Sequence, residues 1–348
     1  MPERSIIWVT GANGIGHASL IDQTLLPHEF KRIDIQTHEE MAIAIKEMRI
    51  RGAPAIGAAA AMGMALAAIK APKTTRSAFL EYLENAKHTL DSTRPTAVNL
   101  FWATNRMLNL AKSSQIPLKK LVPRLVDEAN SIADDDVKVN KLIGKNGAHL
   151  IANGDGILTH CNAGAIATVG YGTALGIIRA AFEEGKQFTV YADETRPRLQ
   201  GSRLTCWELA EDNIDVVHIT DNQAGLLMQL GKVQCVILGA DRIVHDAIFN
   251  KIGTYSVAII ASYHNVPFYV AAPVSTMDFE LSMADVKIEQ RDQSEVKKVL
   301  DKVMISPENI PALNYAFDPT PMNLITGIIT EDGVFTPEKL VKHYPFNS

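Results

Sequence analysis

Gly156-Ile-Leu-Thr-His-Cys-Asn-Ala-Gly164, running on into the small-residue stretch Ala165–Ala181, reads as a short apolar strand, a polar turn and a helix. The pattern recurs downstream. Apolar runs rich in branched residues stand at Phe188–Ala192, Val216–Thr220, Val233–Leu238 and Val266–Ala271, with helical segments in the gaps. Such alternation implies an α/β fold, a parallel sheet with helices on both faces. Polar residues follow nearly every run: Cys161 and Asn162, Asp193 and Glu194, Asp221 and Asn222, Asp241 and Arg242, Ser275 and Thr276. Ligands of open α/β sheets bind outside the carboxyl ends of the strands, so five strand ends point polar groups at one crevice. Some of these must be helix caps, and Asp221, before a helix expected over Asn222–Leu230, is the clearest case.

Upstream the rhythm is helical. Thr37-His-Glu-Glu40 reads as a capping box, with Met41, Ile45 and Met48 following at helical spacing. Helices are expected over Ser77–Leu90, Asn99–Lys112 and most of Leu118–Ala152, with a break at Ser92–Thr96. The longest uncharged run, Ala53–Ile69, approaches membrane-spanning length, but its Ala and Gly content fits a tightly packed helix in a core or dimer interface.

A chain of 348 residues suggests about two domains. Its net charge of −5 argues against nucleic-acid binding, where a basic face is expected. Cys161, Cys206 and Cys235 are widely spaced and form no CxxC pair, which speaks against a thiolate zinc site and a disulfide framework. The N-terminal residues lack a secretory signal pattern. Together these features fit a cytoplasmic enzyme.

Gly11-Ala-Asn-Gly-Ile-Gly16 invites a dinucleotide reading, but its spacing is GxxGxG and no helix pattern follows, because Leu20–Leu25 reads extended. A hairpin turn explains these glycines better. Arg51-Gly-Ala-Pro54 opens a helix, where free backbone N–H groups beside an arginine make a phosphate cradle or simply a turn. Arg94 in Thr93-Arg-Pro-Thr96 has the same two readings. Cys161, at a strand end and a helix start, is either an activated thiol or a buried small hydrophobe. Cys206 and Cys235 read as core. Asp241 follows an apolar strand directly; burial there would keep it partly protonated, as a general acid requires, unless it pairs with Arg242 or caps a helix. Lys251, in Asn250-Lys-Ile-Gly-Thr254, either holds a phosphate or is exposed.

Eight segments in fixed order resemble the methylthioribose-1-phosphate isomerase family: RGAPAIG (51–57), STRPTAVNL (92–100), HCNAGAIATVGYGTALG (160–176), ETRPRLQGSRLTCWEL (194–209), GADRI (239–243), NKIGTY (250–255), AAPVSTMD (271–278) and FDPTPMNLITGIIT (317–330). That family is similar to the regulatory subunits of translation initiation factor 2B and to ribose-1,5-bisphosphate isomerase. The resemblance implies a mostly helical N-terminal domain, residues 1–130, and a Rossmann-like C-terminal domain, residues 131–348, bridged by a long helix near 118–152. It implies a homodimer that needs neither cofactor nor metal and works in methionine salvage. It implies catalysis by Cys161 and Asp241, with substrate contacts from Arg51, Gly52, Ala53, Arg94, Gln200, Asn250 and Lys251. One departure stands out: many members carry Asn-Gly between GADRI and NKIG, whereas here the linker is Val-His-Asp-Ala-Ile-Phe, residues 244–249.

The expected reaction is aldose–ketose isomerisation of 5-methylthioribose 1-phosphate to 5-methylthioribulose 1-phosphate. Two relatives of that chemistry stay open, on ribose 1,5-bisphosphate or 5-deoxyribose 1-phosphate. From another class, a non-catalytic regulatory subunit would have no need to keep Cys161, Asp241, Arg51 and Arg94 together.

Overall fold

The computed structural model describes residues 3–11, 16–94 and 97–344. The chain divides into two compact units. One holds the described chain up to Val139 together with Ala165–Gly172; the other holds Asn140–Gly164 and the chain from Thr173 onward.

The first unit opens with an antiparallel sheet of β1 (Ile6–Thr10), β2 (Gly16–Ile21) and β3 (Arg32–Ile35), in which Thr10 lies opposite Gly16. Strands β1 and β2 are antiparallel neighbours, and residues 12–15 of the hairpin turn expected between them lie outside the described residues. Four helices follow: α1 (His38–Lys46), α2 (Ala53–Lys70), α3 (Arg76–Asp91) and α4 (Val98–Ser113). The capping box forms as expected, with Thr37 Oγ1 accepting the Glu40 N–H and the Glu40 carboxylate accepting the Thr37 N–H, both at 3.2 Å. In α2 every residue from Ala55 to Ala68 is buried. A helix apolar on all sides needs neighbours on all sides, and small side chains let Leu83, Leu90, Leu100 and Met107 of α3 and α4 close on it. By length and composition α2 would also suit a membrane, with mean hydropathy 1.5, but 78% of it is buried inside this fold. Helix α5 (Leu118–Gly147) continues unbroken past Val139, where the first unit's share of it ends.

The second unit is built on a seven-stranded sheet. Its strands are β4 (Gly156–Thr159), β5 (Thr189–Asp193), β6 (Val216–Ile219), β7 (Cys235–Gly239), β10 (Phe268–Ala271), β14 (Gly327–Thr330) and β15 (Gly333–Phe335). Their order is β15-β14-β10-β7-β4-β5-β6, with every pairing parallel except that of β15. From β4 the chain moves outward through β5 and β6, then returns to the other side of β4 to lay down β7, β10 and β14. Helices α6 (Ala174–Glu183), α7 (Cys206–Glu211), α8 (Ala224–Gln229) and α9 (Thr254–Tyr263) fill the crossovers, and α11 (Pro337–His343) follows β15. A small antiparallel sheet joins β8 (Arg242–Ile243), β9 (Ala247–Lys251) and β13 (Phe317–Pro321). A short helix α10 (Ser294–Lys297) leads into a ribbon of β11 (Lys298–Val299) and β12 (Val303–Met304).

Two sequence expectations are corrected. The helix expected over Ala165–Ala181 starts only at Ala174. Backbone groups of the preceding stretch bond to distant partners instead: Gln23 Nε2 donates to the Ile166 carbonyl at 2.7 Å, the Ser5 N–H to that of Val169 at 2.9 Å, and the Val169 N–H to Asp136 at 2.7 Å. Asp221 is not the cap before α8. Thr220 instead caps the 3-10 turn Asp221–Gln223 that leads into α8, in a capping box with Gln223, while the Asp221 carboxylate is occupied by backbone N–H groups of residues 195 and 196.

Candidate active site

Strands β4 and β7 are neighbours where the strand order reverses, with Ile157 beside Cys235 and Leu158 beside Val236. Continued past the strand ends, this register leads β4 into Cys161 and β7 into Asp241. Ala163 packs so closely on Gly239 that a Cβ there would lie 2.7 Å from the Ala163 methyl. The carboxyl edge at a reversal of strand order is where a crevice opens in such sheets.

Cys161 is buried and left-handed, with φ 66°, a conformation costing of order 1–3 kcal/mol for a residue with a side chain. Its N–H donates to Thr195 Oγ1 at 2.8 Å, and its carbonyl accepts from Thr205 Oγ1 at 2.7 Å. Beneath it, Asn162 Nδ2 donates to Glu208 Oε1 at 2.9 Å, and the other oxygen of Glu208 accepts from Arg179 at 2.8 Å. Arg179 Nε reaches Asp212 at 2.6 Å. Gly164 passes over this carboxylate where a Cβ would come within 2.4 Å of Glu208 oxygens. Arg179 is 2% exposed and Glu208 0%. Burial alone would lower the guanidinium's pKa, but the two carboxylates hold it charged. Arg179→Met should therefore strand two buried carboxylates and cost about 3–5 kcal/mol in urea denaturation; a loss near zero would mean that the triad is held by other contacts.

His160, just before Cys161, is buried with both ring nitrogens engaged. Nδ1 lies 2.9 Å from Asp193 Oδ2, and Nε2 donates to the Ile252 carbonyl at 2.9 Å. Burial opposes its charge, but the hydrogen bond and charge of Asp193, with Asp221 at 4.0 Å, raise its pKa above the ordinary value. His160, Asp193 and Asp221 each offer one ligand atom within 4.8 Å of the others. With the imidazole nitrogens bonded on both sides and the Asp221 oxygens accepting the Thr195 and Arg196 N–H groups at 2.7 and 2.8 Å, this is a hydrogen-bonded cluster.

The other expected contacts of this unit surround the β9 turn and the loop after β5. Asn250 Nδ2 donates to Thr254 Oγ1 at 3.0 Å, and Lys251 Nζ donates to the Ala316 carbonyl at 2.8 Å while lying 4.7 Å from the Phe317 ring centre. Lys251 is thus buried on a strand rather than exposed in a turn. Gln200 is buried with its Oε1 unbonded among the described residues, an acceptor available to a ligand hydroxyl. Asp241 is half-buried, its N–H donating to the Phe249 carbonyl at 2.9 Å. Burial raises the thiol of Cys235 in the core to about 12 and that of Cys206, half-buried rather than in the core as read from sequence, to about 11, and thiols raised in this way are inert.

The remaining expected residues belong to the first unit. Ala53 opens α2, with Pro54 in its first turn and Gly52 at the cap. Gly52 has φ 95°, and a Cβ would lie 2.0 Å from the Ala167 carbonyl oxygen. Gly52→Ala should consequently destabilise the protein by on the order of 3 kcal/mol in denaturant titration, and an unchanged midpoint would refute this packing. Arg51 and Arg94 are half-buried; Pro95 and Thr96 of the expected motif lie outside the described residues.

Thr195, Thr205, Glu208 and His160 were not singled out from sequence. Thr195 follows a strand end and so carried the same positional signal as Asp193; Thr205 and Glu208 carried none, being brought to Cys161 only by the fold.

Residues 49–337 match the initiation factor 2 subunit family. A Carboxydothermus hydrogenoformans protein named methylthioribose-1-phosphate isomerase is 52% identical over 323 residues, spanning 91% of this chain and 93% of its own. Among solved structures, 5-methylthioribose 1-phosphate isomerase from Pyrococcus horikoshii superposes with a TM-score of 0.91 at 44% identity, covering 99% of this chain and 96% of that one. A chain from A. fulgidus, described as translation initiation factor eIF-2B subunit delta, superposes with a TM-score of 0.88 at 48% identity, covering 99% and 100%. With a family match over most of its length and half-identical relatives along nearly all of it, the chain belongs to the initiation factor 2 subunit family.

Proposed function

We propose that this chain isomerises 5-methylthioribose 1-phosphate to 5-methylthioribulose 1-phosphate, a step of methionine salvage, as a cytoplasmic homodimer. The observation that carries the reading is the emergence of a thiol and a carboxyl group, Cys161 and Asp241, from adjacent parallel strands at the reversal of strand order. The strand order and the helices before it support a Rossmann-like domain preceded by a smaller, mostly helical one.

The chemistry sets the demands. Phosphate on C1 locks the sugar as an acetal, so no free aldehyde is available to start an ordinary isomerisation. Protonated Asp241 delivers its proton to the ring oxygen, and the C1–O bond of the ring breaks. Hydrogen then passes from C2 to C1 while the C2 hydroxyl gives its proton to the carboxylate left on Asp241, which restores the acid, and C2 becomes the ketone. Two routes complete this step: Cys161 as thiolate removes the C2 proton through an enediol-like species, or hydride shifts directly with Cys161 stabilising the transition state. Gln200 and Asn250 contact sugar hydroxyls. Lys251 supplies a cation for the phosphate dianion, and Arg51, Gly52 and Ala53 at the start of α2, like Arg94 before α4, are phosphate-binding groups of the kind found at helix starts.

Incubating the pure protein with 5-methylthioribose 1-phosphate in D₂O and following the ketose by NMR tests both parts. Ketose formation is expected, and deuterium at C1 distinguishes proton abstraction from hydride shift. No turnover would sink the proposal and direct the assay to ribose 1,5-bisphosphate and 5-deoxyribose 1-phosphate. The regulatory-subunit reading draws on the description of the A. fulgidus chain. It requires hetero-oligomeric partners and no turnover on any of the three sugars.

A further inference from the structure

We infer that Thr195 and Thr205 are positioning residues for this reaction, clamping the backbone of Cys161 so that its thiol keeps one direction; the inference rests on Cys161 being the catalytic thiol. Each hydroxyl has one proton to give and lone pairs to accept with, and each is used both ways. Thr195 Oγ1 donates to the Asp193 carbonyl at 3.1 Å and accepts the Cys161 N–H at 2.8 Å. Thr205 Oγ1 donates to the Cys161 carbonyl at 2.7 Å and accepts from Asn162 Nδ2 at 3.2 Å. The N–H and the carbonyl of one residue are therefore gripped by two side chains from different segments. Both threonines are 0% exposed, so water offers no substitute.

The grip matters because of the conformation it holds. Cys161 sits at φ 66°, and Thr195 itself at φ 63°. A residue with a side chain stays in the left-handed region only where its surroundings over-determine it. Thr195 is fixed in turn by Asp221, whose carboxylate accepts its N–H at 2.7 Å and that of Arg196 at 2.8 Å. Two left-handed residues at the ends of the adjacent strands β4 and β5 are thus locked to each other through one hydroxyl. Releasing it lets Cys161 relax toward ordinary backbone angles, which swings the thiol away from the carbon it serves. Substrate contacts made by other residues are untouched.

Steady-state kinetics of Thr195→Val and Thr195→Ser test the clamp. Valine keeps the branched shape and loses the hydroxyl; serine keeps the hydroxyl. Thr195→Val should lower kcat about 10- to 100-fold with KM within about twofold, and Thr195→Ser should stay within about threefold of the parent kcat, the scale expected for a misplaced catalytic group. Wild-type kcat in Thr195→Val, or an equal fall in both variants, would overturn the inference, since a hydroxyl that only satisfies buried backbone predicts lost stability without the kcat–KM split. Thr205→Val and Thr205→Ser put the same question from the carbonyl side, so misfolding of one valine variant leaves the other to decide. Cys161→Ala, assayed alongside, separates the claims. Full activity there removes the thiol's role; inactivity there with unimpaired Thr195→Val and Thr205→Val removes the clamp alone.

Discussion

Cys161→Ala is expected to lower turnover of 5-methylthioribose 1-phosphate by about 10²–10⁴-fold, the range for a group acting directly in proton transfer. Either hydrogen route needs the sulfur: as thiolate base at C2, or as the polarisable group against which the migrating hydrogen's charge develops. Alanine fits the small space left at this buried turn, so the protein should fold, and an unchanged denaturation midpoint is part of the expected result. The C2 deuterium effect separates the routes further. Residual activity of the variant should keep its isotope effect if the shift is direct and lose its solvent exchange if the thiolate was the base. Full kcat would exclude Cys161 from the chemistry.

Asp241→Asn should lower kcat by a similar factor, about 10²–10⁴-fold, because the amide matches the acid in shape and cannot deliver a proton to the ring oxygen. KM should move little, since Gln200, Asn250 and Lys251 remain in place. The two losses should combine to less than their product, because groups that act in one transition state are not additive. A substrate whose ring is already open would bypass the need for the acid. 5-Methylthioribose, which lacks the C1 phosphate and opens to its aldehyde unaided, should lose less of its turnover on Asp241→Asn substitution than the cyclic phosphate does, and that difference would mark ring opening as the step this carboxyl serves. Near-full kcat on the cyclic substrate would refute the mechanism.

The strands were legible to within about two residues where a run of branched residues ended in a polar group, as at Gly156–Thr159 and Cys235–Gly239. Helices α3 and α4 were legible for the matching reason, a clear 3.6-residue period between breaks. What failed was local reasoning applied to segments governed by distant partners. Ala165–Gly172 has the composition of a helix, yet Gln23, Ser5 and Asp136 take its backbone groups. Asp221 has the position of a cap, yet its oxygens go to Thr195 and Arg196. Lys251 read as either a phosphate ligand or an exposed side chain, and β9 with β13 buries it. The candidate site divides the same way. Cys161 and Asp241 were visible as strand-end residues, whereas Thr205, Glu208 and Arg179 act through contacts across 29 to 46 positions of chain that no period or spacing encodes.

The segment Ala165–Gly172 lies between the first strand and first helix of the α/β unit but is counted with the other unit. No single cut can therefore liberate either half intact. A fragment ending at Val139 would lack the carbonyl that receives Ser5, and one beginning at Asn140 would carry a buried alanine-rich stretch with nothing to cover it. The N-terminal unit is complete only once residues 165–172, which follow Cys161 in the chain, are present. Assembly of the early half and birth of the reactive turn are bound into one event.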